Sequence, residues 1–71
     1  MAVSYKKLWK LLIDMNMTKT QMRKESGITT GALAKLGRNE NVNTEILVKI
    51  CNTLHCDITD IMELTEERTD E

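Results

Sequence analysis

The sequence contains no proline and no phenylalanine, and its only aromatic residues are one tryptophan and one tyrosine. Strands favour aromatic and β-branched residues in alternating patterns, and such alternation is scarce in this chain. Leu, Ile, Met, Lys and Glu, which are good helix formers, dominate instead. The composition therefore predicts an all-α fold.

Long apolar runs are also absent. The longest runs, such as Leu11-Leu12-Ile13, are far shorter than the roughly 20 residues that a membrane span needs. The beginning of the sequence has no signal-peptide pattern, so we expect a cytoplasmic protein without a membrane partner. A chain of 71 residues is near the lower size limit for independent folding and has little room for an enclosed active site.

Metal ligands and catalytic groups are scarce. Cys51 and Cys56 lie around one helix end in a poor geometry for a disulfide, and the cytosol would keep them reduced, so we expect free thiols. Together with His55 they supply only three ligands with no fourth nearby. No paired acids, serine-histidine pair or glycine-rich phosphate loop stands out. We predict no metal site, no catalytic residue, no cofactor and no enzymatic activity.

The charge is divided unevenly along the chain, although the formal net charge is only −1. Residues 1–49 contain nine Lys/Arg and four Asp/Glu, whereas residues 50–71 contain one and seven. This asymmetry indicates a basic face suited to phosphates and an acidic end kept away from it. A charged, solvated surface without a partner is the alternative interpretation.

The first helix is predicted to begin after Ser4 as N-cap and to end near Met15, with Asn16 as a left-handed C-cap. Its apolar residues follow the spacing of a buried stripe. They are Leu8, Leu11, Leu12 and Met15.

Two short helices are predicted next, joined at Gly27, where a positive φ permits a tight turn. Thr18 is expected to cap the helix Lys19–Ser26, and Thr29 or Thr30 to cap a third helix through Leu36. Leu33 and Leu36 are expected to face inward. The outward residues would be Gly31, Ala32, Ala34 and Lys35.

After the polar residues 38–43, Thr44 is expected to cap a fourth helix, and Asp57 and Asp60 to frame the start of a fifth. The fourth helix would bury Leu47, Ile50, Cys51 and Leu54, and the fifth would bury Ile58, Ile61, Met62 and Leu64. Residues 1–64 are predicted to form one domain, and residues 65–71 an acidic, disordered tail.

The stretch TKTQMRKESGITTGALAKL (residues 18–36) resembles the Cro and phage-repressor (XRE-like) helix-turn-helix family. Its apolar positions and turn glycine match that family, and the run TEILVKICNTLHCDITDIM (residues 44–62) extends the resemblance over about residues 5–64. Arg23 and Ser26 depart from the family, which has a small and a large apolar residue there. The resemblance implies a compact five-helix, lambda-repressor-like domain whose helices 2 and 3 form the helix-turn-helix.

The resemblance also assigns DNA-contacting positions. The residues expected to reach base edges are Thr29, Thr30, Gly31, Ala34 and Lys35, and those expected to hold phosphates are Lys19, Arg38, Asn39 and Asn41. The alternative for the two threonines is ordinary helix capping, and for the basic residues a solvated surface charge.

Helix 1 carries two apolar residues beyond its core stripe, Trp9 and Ile13, and this excess suggests a dimer. The interface candidates are these two residues together with Ile61, Met62 and Leu64 at the other end of the domain. The alternative is that Trp9 packs beneath the C-terminal segment of its own chain.

These observations predict a nucleoid-associated transcriptional regulator that binds double-stranded DNA sequence-specifically. We expect a repressor that acts as a homodimer on a palindromic operator, without a small-molecule effector. The alternative is a protein-interaction module of the same fold, such as an antitoxin or a phage regulatory partner.

Overall fold

The computed structural model describes residues 2–65, and Met1 and residues 66–71 lie outside the described part. The chain forms a mostly helical domain with four α-helices among residues 2–65, not the five expected, and its two described ends pair as strands. In order, the elements are β1 (Ala2–Ser4), α1 (Lys6–Asp14), α2 (Lys19–Ser26), α3 (Thr30–Gly37), α4 (Thr44–Leu54), a 3-10 turn (Ile58–Asp60) and β2 (Glu63–Thr65).

Helix α1 begins at Lys6, one residue later than a cap at Ser4 implied. Ser4 belongs to β1, and Tyr5 occupies the N-cap position without a capping side-chain hydrogen bond. The expectation that Ser4 caps α1 was therefore wrong, because its backbone is extended in a strand. The helix ends at Asp14, and Met15 occupies the C-cap position expected for Asn16. Asn16 does have the expected left-handed conformation, with a φ of +55°.

Helix α2 has the predicted boundaries and caps. Thr18 Oγ1 accepts a hydrogen bond from the Gln21 backbone N–H at 3.0 Å, and Gln21 Oε1 accepts one from the Thr18 N–H at 2.8 Å. This reciprocal capping box satisfies two backbone donors at the start of the helix. Gly27 ends the helix with a φ of +80°, in the left-handed region that favours glycine.

Helix α3 is capped by Thr29, whose Oγ1 accepts a hydrogen bond from the Ala32 N–H at 3.0 Å. The helix reaches Gly37, one residue beyond the predicted end. Ala32 was expected to face outward but is buried, whereas Leu33 is only partly buried. Ala32 is buried because it lies one helical turn before the fully buried Leu36 and therefore on the same face of α3.

Helix α4 buries Leu47, Ile50 and Leu54 as expected, and Cys51 is partly buried. Thr44 is its first residue and not its cap, since Asn43 occupies the N-cap position without a side-chain hydrogen bond. The longest helix in residues 2–65 has 11 residues, and none there is long and apolar enough to cross a membrane.

The expected fifth helix is a single 3-10 turn. Asp57 and Asp60 do form a capping box, but the helix ends at Asp60. The chain then extends into β2, which pairs antiparallel with β1 in the register Ala2 with Thr65, Val3 with Leu64 and Ser4 with Glu63. Thr65, the first residue of the expected tail, lies in this strand, and the rest of that tail, residues 66–71, is outside the described residues.

One apolar core joins the helices. Its buried members are Tyr5, Leu8, Leu12, Met22, Ile28, Ala32, Leu36, Leu47, Ile50, Leu54 and Ile61. Every helix contributes, and α2 packs against α1, α3 and α4. Leu64, which was expected to be buried, is 59% exposed because the expected helix is replaced by a strand at the surface.

Candidate nucleic-acid interface

The turn between α2 and α3 determines which side of α3 faces outward. Gly27 reverses the chain, and the next residue, Ile28, is buried in the core with Met22 from α2. Ala32 and Leu36 attach the inner side of α3 to the same core. The opposite side of α3 is therefore left to the solvent.

All five residues expected to reach base edges lie on exposed surface. Thr29, Thr30, Gly31, Ala34 and Lys35 are each exposed. Thr29 is also the helix cap, so the capping interpretation is correct for this residue. The Thr30 side chain makes no hydrogen bond in the part of the chain that the structure describes, so its hydroxyl is available to a partner. Apart from Lys35, which carries one positive charge, the residues of this surface have small side chains.

Gly31 leaves this surface flat, although neither the backbone conformation nor the packing requires glycine at this position. Its backbone lies outside the left-handed region, and a Cβ built there would come no closer than 3.8 Å to Thr29 Oγ1, an ordinary contact. The fold would accept alanine, and glycine inside a helix is less stable than alanine by roughly 0.5–1 kcal/mol. A flat patch of this kind lets a large molecule approach the helix backbone closely.

A shallow depression lies beside this flat patch, between α3 and the loop that connects it to α4. The loop places Asn41, another predicted DNA contact, on the same surface as the α3 residues. The depression is lined by Thr29, Gly31, Ala32, Lys35, Asn41, Val42, Asn43 and Ile46.

Arg38 and Asn39, which were expected to hold phosphates, both have partners within the chain. Arg38 Nε lies 2.7 Å from Glu40 Oε2, and both side chains are exposed. The hydrogen bond from Arg38 keeps the pKa of the Glu40 carboxyl below its ordinary value. Asn39 has a φ of +56°, and its Oδ1 accepts a hydrogen bond from the Tyr5 N–H at 3.0 Å.

Lys19, the remaining predicted phosphate contact, stands at the start of α2 and lies over Trp9. Its Nζ is 4.4 Å from the centre of the indole ring. A cation at this distance is attracted to the negative face of the ring. The Trp9 contact thus holds the Lys19 ammonium near the first turn of α2.

The basic residues of the helix-turn-helix are not neutralised within residues 2–65. The ion pairs there join Lys7 with Glu63, Arg38 with Glu40, and Lys49 with Glu45. None of them involves α2 or α3. Within residues 19–37 the charged residues are Lys19, Arg23, Lys24, Lys35 and Glu25. The motif therefore presents an excess of positive charge, which suits a polyanion.

The dimer candidates differ in accessibility. Ile13 is 73% exposed and Leu64 is 59% exposed, whereas Ile61 is completely buried in the core of its own chain and offers no surface to a partner. Met62 and Trp9 are partly buried. A depression lies beside Trp9, and among the described residues it is lined by α1, the α1–α2 loop and the first residue of α2. The C-terminal segment does not line it. The lining residues are Trp9, Leu12, Ile13, Met17, Thr18 and Lys19.

The two cysteines are free thiols, and both are partly buried. Burial raises the pKa of both thiols, and that of Cys56 rises to about 11. Thiols whose pKa is raised by burial stay protonated at neutral pH and react slowly. Across residues 2–65, no group of three or more His, Cys, Asp or Glu side chains is placed to hold a metal ion.

Tyr5 was missed in the sequence. Its side chain is buried, and its hydroxyl donates a hydrogen bond to the Glu40 backbone oxygen at 2.8 Å. The partners are separated by 35 residues. No local pattern signals such a contact, and the rarity of aromatic residues in this chain is the one feature of the sequence that marks the position.

Comparison with known proteins agrees with this geometry. The family model of the Cro/C1-type helix-turn-helix DNA-binding domain matches residues 7–67. The crystal structure of the transcriptional regulator VanUg is similar, with a TM-score of 0.90 and 50% sequence identity over 93% of this chain and 88% of that chain. Among curated proteins, none matches. The chain belongs to the Cro/C1-type helix-turn-helix DNA-binding family.

Proposed function

We propose that the protein is a transcriptional repressor that binds a palindromic operator as a homodimer, with α3 in the major groove. The observation that carries this proposal is the exposed outer side of α3, where Gly31 and Ala34 leave room beside Thr30 and Lys35. A helix enters the major groove only if its facing side chains are small or can bind base edges.

Sequence readout falls to the two side chains on this surface that carry hydrogen-bonding groups toward solvent. The Lys35 ammonium donates to guanine O6 or N7. Thr30 either hydrogen-bonds a base edge or places its methyl group beside that of thymine. Gly31 contributes by allowing the helix backbone to lie close to the bases.

Phosphate contacts fix the register of the helix on the duplex. The backbone N–H groups at the start of α2, with Lys19 beside them, suit a phosphate oxygen. Asn41 offers an amide donor at the rim of the α3 depression. Arg38 reaches a phosphate with the guanidinium nitrogens that Glu40 does not occupy, since the ion pair uses Nε.

Dimerisation places two copies of α3 about 34 Å apart, the spacing of successive major grooves on one side of the duplex. Ile13 and Leu64 are the exposed apolar residues that a symmetric contact would cover. Repression then results from occupancy of the operator and requires no catalysis.

The test is a fluorescence-anisotropy titration of the protein's own upstream DNA at several salt concentrations. We compare the wild type with Thr30→Ala/Lys35→Ala. The matched control is Lys49→Ala/Thr59→Ala, which removes the same two chemical groups from α4 and the 3-10 turn. We expect specific, salt-sensitive binding by the wild type and the control, and its loss in the α3 variant.

Equal, weak binding of all three proteins to any DNA would reject the proposal. The result would instead favour a protein-interaction module such as an antitoxin or a phage regulatory partner.

A further inference from the structure

One residue at the start of the chain holds the loop between α3 and α4 at two consecutive positions. Tyr5 is 1% exposed. Its backbone N–H donates to Asn39 Oδ1 at 3.0 Å, and its hydroxyl donates to the Glu40 backbone oxygen at 2.8 Å. These bonds connect the junction of β1 and α1 to two loop residues that follow Tyr5 by 34 and 35 positions in the sequence.

The loop is held from its other side by the end of α3. The Glu40 N–H donates to the Lys35 backbone oxygen at 2.9 Å, and the Asn39 N–H donates to the Leu36 oxygen at 3.1 Å. Asn39 has a φ of +56°, in the left-handed region that asparagine adopts more readily than most other non-glycine residues. The hydrogen bond from the Tyr5 N–H fixes the Asn39 side chain at this turn.

The exposed side chains of Arg38 and Asn41 stand immediately on either side of the two residues that Tyr5 holds. Fixing Asn39 and Glu40 therefore fixes the backbone from which both side chains extend. A loop that is already ordered loses less conformational entropy when it meets a ligand, so more of the contact energy appears as affinity.

We infer that Tyr5 is a positioning residue for DNA binding, which orders the α3–α4 loop so that Arg38 and Asn41 meet the phosphate backbone. Tyr5 itself is buried and does not touch the duplex. This inference rests on the proposed function, because the contacts at Arg38 and Asn41 are part of that proposal.

The test compares Tyr5→Phe with Ile61→Val. The phenylalanine keeps the buried ring and removes only the hydroxyl donor. Ile61→Val removes one methyl group from the core next to the 3-10 turn, which packs against α1 and α4. Both changes destabilise a small domain to a similar extent. We measure thermal stability, affinity for operator DNA, and the dependence of affinity on salt.

We expect Tyr5→Phe to weaken operator binding about three- to tenfold and to reduce the slope of log affinity against log salt by about one phosphate contact. Ile61→Val should lower the melting temperature similarly but leave the slope unchanged. The salt slope counts phosphate contacts, so a merely structural role for Tyr5 would not alter it. Equal slopes in the two variants would overturn the inference.

A second measurement does not depend on DNA. Hydrogen exchange at the Glu40 amide reports the order of the loop in the free protein. We expect Tyr5→Phe to accelerate this exchange more than Ile61→Val does, and equal acceleration would overturn the inference. Absence of DNA binding by the wild type would refute the proposed function instead, so the two failures are distinguishable.

Discussion

Replacing Gly31 with alanine should raise stability and weaken DNA binding at the same time. The added Cβ would lie 3.8 Å from Thr29 Oγ1, so it meets no steric conflict within the described chain. Alanine is more favourable than glycine inside a helix by about 0.5–1 kcal/mol. For a domain of this size, 1 kcal/mol corresponds to roughly 4–8 °C in melting temperature. We therefore expect the melting temperature to rise by about 2–8 °C.

The same methyl group would stand between α3 and the bases. If Gly31 lies at the closest approach to the duplex, the methyl pushes the helix away and lengthens the hydrogen bonds of Lys35 and Thr30. We expect operator affinity to fall at least about tenfold, which corresponds to about 1.4 kcal/mol. The assay combines thermal unfolding followed by circular dichroism with an anisotropy titration of operator DNA.

Gly37→Ala is the matched control, because it makes the same substitution at the last residue of the same helix. A Cβ at Gly37 would have no atom within 4 Å, and its φ is not in the left-handed region. We expect this variant to gain stability and to retain wild-type affinity. A lower melting temperature for Gly31→Ala would refute the steric argument. Wild-type affinity would refute the proposed close approach to DNA.

Three further predictions follow from particular contacts. Thr29→Ala should cost about 1 kcal/mol in urea unfolding because it removes the α3 cap, whereas Thr30→Ala should be nearly neutral; equal losses would contradict the assignment of the cap. Ile13→Glu should weaken self-association in sedimentation equilibrium without lowering the melting temperature, since the side chain is 73% exposed, and unchanged association would remove Ile13 from the interface. Burial raises the pKa of Cys56 from 9.0 to about 11, so the thiol ionises earlier in the unfolded chain than in the folded one. Stability from this group should be constant below pH 9 and fall between pH 9 and about 11, and a Cys56→Ala control should make the decline shallower, leaving the part due to Cys51, whose pKa is also raised by burial.

Local chemistry made the helix-turn-helix predictable. The caps at Thr18 and Thr29 and the turn at Gly27 act within four residues of themselves, so the sequence carries their signals directly. The apolar spacing of α4 likewise predicted its buried face. The exposed α3 residues followed from the same reasoning together with the family resemblance.

The errors lie where distant parts of the chain compete with local preference. Ser4 is a good cap residue, yet it lies in β1, and Asp57 begins a capping box, yet the chain after its 3-10 turn extends into β2. Both differences arise because β1 and β2, which are distant in the sequence, pair with each other. Ala32 was placed outward because a small residue is compatible with either side of a helix, and only packing against the core decides the phase.

The helical fold class, the boundaries of α2 and the position of the turn were predictable from the amino-acid sequence, because they depend on interactions between residues close in the chain. Three contacts became apparent only in the folded domain: Tyr5 binds the α3–α4 loop, Lys19 lies over Trp9, and β1 pairs with β2. Each of these contacts joins residues from different segments of the chain, and their local sequences are equally compatible with other partners. Their geometry exists only after the core has brought the helices together.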